Sequence, residues 1–408
     1  MTTSTATSGT DTSSAAGPLE GVRVIEVGVF MAAPFATMQL ADMGAEVIKV
    51  ETPGSGDPTR ATGPFVDGEG SAFLRLNRNK RSVALDLKHP EGLEAFLALV
   101  DTADVLVENL RPGAMRRLGL GPDELRARNP RLVYASASGW GQDGPLSALP
   151  GLDIMAQARS GLMSITGHAE SGPAKVGVPV CDLVAGLYVA LGAVAALRRR
   201  DATGVGDYLD VSLMETGVSL AVWEAGRYFA TGEVGTPQGT AHQSQAPYQA
   251  VPTSDGWVTV GAITPKTWEG FCAAIERPDL HDDPTYTSVA DRRLQRDVLM
   301  AEIERTTRTR TTDDLVEAWS RHGVPCAPLS TFDQVFDDPH LRARDFFWDA
   351  PDAAGVPVRQ IGSPLRFDDA GTARRSAGPS LGQDTRDVLT EVLGADRARA
   401  VVAAGAAG

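Results

Sequence analysis

The block Val176-Gly177-Val178-Pro179-Val180-Cys181-Asp182 sets a carboxylate against the start of an apolar run, Leu183 to Leu197. Two readings fit it. Aspartate is a preferred helix N-cap, because its side chain accepts the free N–H groups of a first helical turn. The same placement, beside a Gly/Pro loop and the positive end of a helix dipole, also fixes a carboxylate and keeps it ionised. An ionised, desolvated Asp can attack an acyl carbon and form a covalent intermediate. Cys181 is the rival nucleophile, but no partnering histidine is evident and a free Cys usually packs as a small apolar residue.

Other positions invite chemistry less strongly. The turn Val27-Gly28-Val29-Phe30-Met31-Ala32-Ala33-Pro34 follows a β-branched run, and Glu51 ends the next one, where it would suit a ribose hydroxyl. The turn has one glycine where a dinucleotide fingerprint needs three, which speaks against nicotinamide binding. A different nucleotide-like ligand could still use the strand ends. Lys88 and Arg117 could pair phosphates, although isolated basic residues are usually solvated. Trp140, between Gly139 and Gly141, reads as core or as the wall of a pocket. The flanking glycines suggest close approach to a ligand. His242 and Gln243 lie in a polar stretch and read as exposed. Without a CxxC pair, an HExxH or a His/Cys cluster, no metal site is expected.

Elements must position these residues. Gly21–Gly28, Ala45–Glu51, Arg81–Leu87, Asp104–Leu110 and Arg131–Ser138 read as strands. Helical spacing over Pro34–Met43, Pro90–Val100 and Pro112–Arg128 separates them, which predicts a parallel sheet with helices on its faces. A helix over Asp153–Met163, a long buried helix over Leu183–Arg199, a strand over Asp207–Val211 and a helix from Ser212 towards Thr231 follow. The Gly/Thr/Gln-rich stretch Gly232–Ala246 reads as a linker or mobile loop. A new unit then begins at the strand Trp257–Ala262, with helices at Thr267–Ile275, Asp291–Thr306 and Thr312–His322. The organisation expected is a disordered tail over residues 1–17, a large domain over 18–225, a small one over 226–335, and a return to the large domain over 336–408.

The 408 residues carry a net charge of −14, which disfavours nucleic acid as a partner. The basic clusters Arg78-Asn79-Lys80-Arg81 and Arg198-Arg199-Arg200 could still hold a small anion. Three separated cysteines fit a reducing, cytoplasmic compartment rather than a disulfide framework. The longest apolar run is too short to span a membrane, so no membrane role is expected.

Together the segments resemble the class III CoA-transferases, which include formyl-CoA transferase and carnitine CoA-transferase. The pieces are Gly44-Ala-Glu-Val-Ile-Lys-Val-Glu51, Asn79-Lys-Arg-Ser82, Val107-Glu-Asn-Leu-Arg-Pro-Gly113, Ser138-Gly-Trp-Gly-Gln-Asp-Gly-Pro145 and the block ending at Asp182, with Gly323-Val-Pro-Cys-Ala-Pro328 further on. The resemblance implies an α/β fold: a Rossmann-like parallel-sheet large domain plus a smaller α+β domain, in an interlocked, ring-shaped homodimer. It implies that Asp182 is the nucleophile, passing through a mixed anhydride to an aspartyl-CoA thioester. Acyl-CoA and small carboxylic acids are then the substrates, and no metal takes part. Coenzyme A contacts carry over to Met31 and Ala32; Thr52; Leu85, Asp86, Leu87 and Lys88; Asn109, Leu110, Arg111 and Arg117; and Ser138, Gly139, Trp140 and Gly141. Met31 replaces a family Gln and Thr52 a family Arg. The glycine-rich lid of formyl-CoA transferase has no equivalent run here. The α-methylacyl-CoA racemases share this fold but place a proton-carrying His where Leu152 stands. A CoA-binding protein without turnover is the remaining alternative.

Overall fold

Short β-branched runs pair in parallel when helices cover both faces, which buries the strands on each side. Six such strands form the main sheet: β1 (Arg23–Val27), β2 (Glu46–Glu51), β3 (Lys80–Ala84), β4 (Val105–Glu108), β5 (Val133–Ser138) and β6 (Tyr208–Ser212). Every pairing is parallel and the order is β3-β2-β1-β4-β5-β6. The direction of winding therefore reverses between β1 and β4, the place where such sheets open a crevice for a ligand. The computed structural model describes residues 16–408, so nearly all of the tail expected over 1–17 lies outside the described residues.

Alternation along the strands divides the core in two. Ile25, Ile48, Leu106 and Tyr134 pack with Phe96 and Leu99 of the helix Pro90–Asp101, and with Val388, Val401 and Ala407 from the C-terminal segment. Val24, Val47, Val105 and Val133 face the helices α1 (Ala32–Asp42) and α8 (Val180–Thr203). (The helix Pro90–Asp101 is α3; α2, Ser71–Leu76, precedes it, and α4 to α7 run over Ala114–Arg117, Pro122–Arg128, Asp153–Arg159 and Leu162–Ile165.) At Gly186 the helices α1 and α8 touch so closely that a Cβ would lie 2.8 Å from the Ala32 carbonyl oxygen.

Helix α8 differs from its expectation. It has 24 residues and, by length and composition, could cross a membrane. Only one of its faces is buried; Leu187, Tyr188 and Leu191 on the other are exposed. The helix expected from Ser212 towards Thr231 is two, α9 (Leu213–Leu220) and α10 (Val222–Thr231).

The chain folds as two compact units. One comprises the described residues up to Leu162 together with Val176–Ala225 and Arg342–Gly408; the other comprises Met163–Lys175 and Gly226–Leu341. The second unit holds an antiparallel sheet of Tyr248–Pro252, Trp257–Gly261 and Cys326–Pro328, with Trp257–Gly261 central. Its core stacks Trp268 on Phe271 and Phe271 on Trp319. Tyr248–Pro252 was hidden in the sequence by its flanking prolines. The helix expected over Asp291–Thr306 breaks at Gln295, where buried Arg292 turns back to the Ala246 carbonyl. His242 is not simply solvated; it stacks on Tyr248.

Candidate active site

At the C-terminal ends of β1 to β4 lies a cavity of about 400 Å³. Its wall includes Gly28 and Val29, Thr52, Leu85 to Lys88, Leu110 and Leu118. This is the switch-point crevice, and it brings together six of the positions expected to contact CoA. Arg111 and Arg117 are exposed and do not line it, but Leu110 and Leu118, which flank them in sequence, do. Among the described residues Lys88, Arg111 and Arg117 enter no ion pair, which leaves three cations available to phosphates. Asn109 is otherwise engaged. Its side chain accepts from the Val29 N–H at 2.9 Å and donates to the Val29 carbonyl at 2.8 Å, clamping the β1–α1 turn.

That turn rests on charges the sequence reading did not single out. Glu26, Lys49 and Lys80 have fully buried side chains. Lys49 Nζ donates to Glu26 at 2.6 Å, to Asp57 at 2.9 Å and to the Gly28 carbonyl at 2.9 Å. Lys80 Nζ donates to Glu26 at 2.8 Å, and Asp57 Oδ1 accepts from the Phe30 N–H at 3.3 Å. Burial opposes the charged forms, yet the two lysines hold Glu26 below its usual range. Burial and the neighbouring Lys49 push Lys80 down to about 8. Glu51, which would suit a ribose hydroxyl, does reach the cavity wall, but its carboxylate is buried and bound to Arg60 and Ser82. The cluster Arg78-Asn79-Lys80-Arg81 holds no free anion site: Arg78 and Asn79 bind Asp42, Lys80 binds Glu26, and Arg81 binds Glu46 and Glu391. Arg199 and Arg200 are likewise paired, with Asp207 and Asp104.

Asp182 sits a short way along α8, which it does not cap. Pro179 occupies the N-cap and Asp182 is the third helical residue. The free N–H groups are taken elsewhere. Val180 donates to the Val178 carbonyl and Leu183 to that of Pro179. The Asp153 Oδ1 accepts from the N–H groups of Cys181 at 2.9 Å and Asp182 at 3.4 Å. The Asp182 carboxylate is thus left out of the capping bonds. Its surroundings also oppose the ionising effect of the helix end. Burial, and then the negative charge of Asp153, push it up to about 7. The same causes push the Cys181 thiol up to about 11, which leaves it un-ionised and a poor nucleophile.

Two further segments meet at this end. Gly139 packs on Gly151 so tightly that a Cβ on it would lie 2.7 Å from the Gly151 Cα. Ser138 Oγ accepts from the Gly141 N–H at 3.1 Å, and the Trp140 indole donates to the Pro150 carbonyl. Ser138 to Gly141 therefore stand against the segment that leads into α6 and Asp153. Leu152 holds the N-cap position of α6 and is exposed. Met31 and Ala32 connect the two ends, since the turn that reaches the cavity through Val29 continues into Ala32, packed on Gly186 of α8. Sequence reasoning missed Asp153, Gln157 and the buried Glu108, which burial pushes to about 7. Asp153 and Gln157 escape a local reading because they act on Cys181 and Val176 of another segment, and Glu108, although inside Val107–Gly113, shows no sign in the sequence of being buried. Among the described residues no group of three or more His, Cys, Asp or Glu could hold a metal ion.

The profile of CoA-transferase family III matches residues 19–385. This chain belongs to that family. Succinyl-CoA:mesaconate CoA-transferase of Haloarcula hispanica is 37% identical over 385 residues, covering 92% of this chain and 96% of its own length. Succinyl-CoA:glutarate CoA-transferase of Homo sapiens is 35% identical over 377 residues, covering 92% and 86%. The crystal structure of a CAIB/BAIF family protein from Brucella suis superposes with a TM-score of 0.84 at 34% identity, covering 92% of this chain and all of that one. The fold and enzyme class implied by the sequence resemblance hold: this is a class III CoA-transferase of mixed α/β architecture, acting on CoA thioesters.

Proposed function

We propose that this transferase moves CoA from a succinyl-CoA-type donor to a four- or five-carbon dicarboxylic acid through a thioester on Asp182. The observation that carries it is a half-buried carboxylate free of capping bonds at the first turn of α8, in a family III chain. An Asp182 oxygen attacks the donor carbonyl carbon and expels CoA thiolate, leaving a mixed anhydride. The thiolate attacks the Asp182 carbonyl carbon and expels the donor acid. The acceptor carboxylate then attacks that thioester and expels the thiolate again. Thiolate attack on the acceptor acyl carbon releases the new thioester and restores Asp182. Each step exchanges one acyl bond for another and no proton is consumed. The substrate choice is supported by the names of the relatives, which pair succinyl-CoA with mesaconate, glutarate and D-citramalate. Leu152 supports transfer over racemisation, because it cannot carry a proton.

The test is a screen of succinyl-CoA against mono- and dicarboxylic acids, with product CoA esters read by chromatography. Turnover with glutarate or mesaconate is expected; a transferase that accepts only monocarboxylates would sink the substrate assignment. With ¹⁸O-carboxylate acceptor, label should also appear in the Asp182 peptide.

The homodimer implied by the resemblance belongs to the same proposal. The exposed Leu187, Tyr188 and Leu191 border an apolar groove of about 360 Å³ that also includes Val184 and Leu365. A face of this kind favours burial against a partner. Leu191→Asp is expected to convert a sedimenting dimer into monomer, and a wild-type monomer at micromolar concentration would refute the pairing. Three free cysteines, two of them buried, support a reducing compartment such as the cytoplasm.

A further inference from the structure

We infer that Asp153 is a positioning residue for the nucleophile: its carboxylate holds the first turn of α8, and so the aim of the Asp182 side chain. Three connected contacts carry this. Asp153 Oδ1 accepts from the Cys181 N–H at 2.9 Å and from the Asp182 N–H at 3.4 Å. Asp153 Oδ2 accepts from Gln157 Nε2 at 2.6 Å. Gln157 Oε1 accepts from the Val176 N–H at 2.9 Å. The pair thus grips both ends of the loop Val176–Pro179 that delivers the chain into α8. Gln157 is fully buried and, four residues after Asp153, lies on the same face of α6.

An ordinary cap would be local, the residue just before the helix. Here that residue is Pro179, which has no side-chain acceptor. A carboxylate 28 residues upstream does the work instead. This links the position of Asp182 to α6, and through the Gly139–Gly151 contact to the Ser138–Gly141 segment. Positioning matters because a displacement of about 1 Å can cost roughly 100-fold in rate.

The charge of Asp153 has a second consequence. Of the elements packed on this end of α8, α9 touches Cys181 through Gly217 and α1 touches Gly186 through Ala32. Neither contact brings a titratable group. Cys181 stays a thiol, and Glu215 of α9 is exposed. Among the described residues Asp153 is therefore the one charge raising Asp182, alongside burial.

This inference rests on Asp182 being the nucleophile, so the experiment separates the two. Wild type, D153A, D153N and D153N/Q157E are incubated with succinyl-CoA, trapped with hydroxylamine, and analysed by peptide mass spectrometry and by pH profiles of kcat/KM. In D153N the new amide faces the Gln157 amide, donor against donor. In D153N/Q157E the carboxylate introduced at position 157 can accept from both the amide introduced at position 153 and the Val176 N–H. Every hydrogen bond is then kept while the charge moves a turn away. Trapping at Asp182 is expected to slow by about 100-fold in D153A and to be rescued in D153N/Q157E relative to D153N. The acid limb of the double variant should lie roughly one pH unit below wild type, since a like charge has been moved away. If wild type traps nothing at Asp182, the nucleophile reading fails and this inference with it. If wild type traps normally, a D153A rate within about threefold of it or an unmoved acid limb in the double variant overturns the inference alone. Should D153A not fold, the double variant's limb decides.

Discussion

Asp182→Asn is expected to lower CoA transfer by roughly four orders of magnitude or more. The substitution keeps the shape of the side chain and removes the oxygen nucleophile. Hydroxylamine trapping at this position should vanish with it. Retention of a tenth of wild-type turnover would refute the covalent mechanism. The wild-type enzyme should show a matching pH dependence. Only the carboxylate attacks, and burial with Asp153 places its titration at about 7. Turnover should therefore climb as pH rises through about 7 and level off above it. A rate flat from pH 5 to 9 would contradict this. Stability runs the other way. A carboxyl raised from 3.8 to about 7 on folding favours the protonated folded state; its contribution is complete below about 3.8 and is lost as pH rises through about 7. At pH 8 the Asn variant lacks this buried charge, so its melting temperature should be no lower than wild type. Lost activity then cannot be blamed on unfolding.

Lys49→Met is expected to cost about 3–5 kcal/mol of stability, read as a lower midpoint in urea. Lys49 is fully buried between Glu26 and Asp57. Removing it leaves Glu26 with Lys80 alone and takes from Asp57 its ion-pair partner, and an uncompensated buried charge is far costlier than a lost surface pair. The Gly28 carbonyl also loses its donor. Since Asp57 further holds Phe30, CoA affinity should fall even in the folded fraction. E26Q/K49M should be less destabilised than the sum of the single changes, because the charges disappear together. Additive losses would show that the two do not act as a unit.

The parallel sheet was legible because its strands are β-branched runs at regular spacing, and parallel strands buried on both faces need no alternation to be recognised. Helix ends were less so. Asp182 read equally well as a cap, and only the backbone shows that Pro179 caps and Asp153 supplies the acceptor. That contact joins residues 28 apart, and no sequence window contains it. The buried charges were illegible for the same reason. Glu26, Lys49 and Lys80 stand on three neighbouring strands and look like solvated residues until the sheet brings them together. The last helix, Ala395–Ala403, is alanine-rich and offers little apolar patterning, yet Ala398 and Val401 complete the core over β3.

That late segment bears on how the protein comes to be built. Thr385 Oγ1 accepts from the Ala84 N–H across 301 positions, Leu85 bridges Ala407, and Gly405 walls the cavity. A chain leaving the ribosome N-terminus first has all six strands long before these covering residues arrive. Until then Val83, Leu85 and Phe96 lack part of their roof, and the crevice at the strand ends lacks one side. Such an interval is one in which nascent protein is exposed to aggregation and to chaperones. The crevice is finished only once the segment around Gly405 has been made.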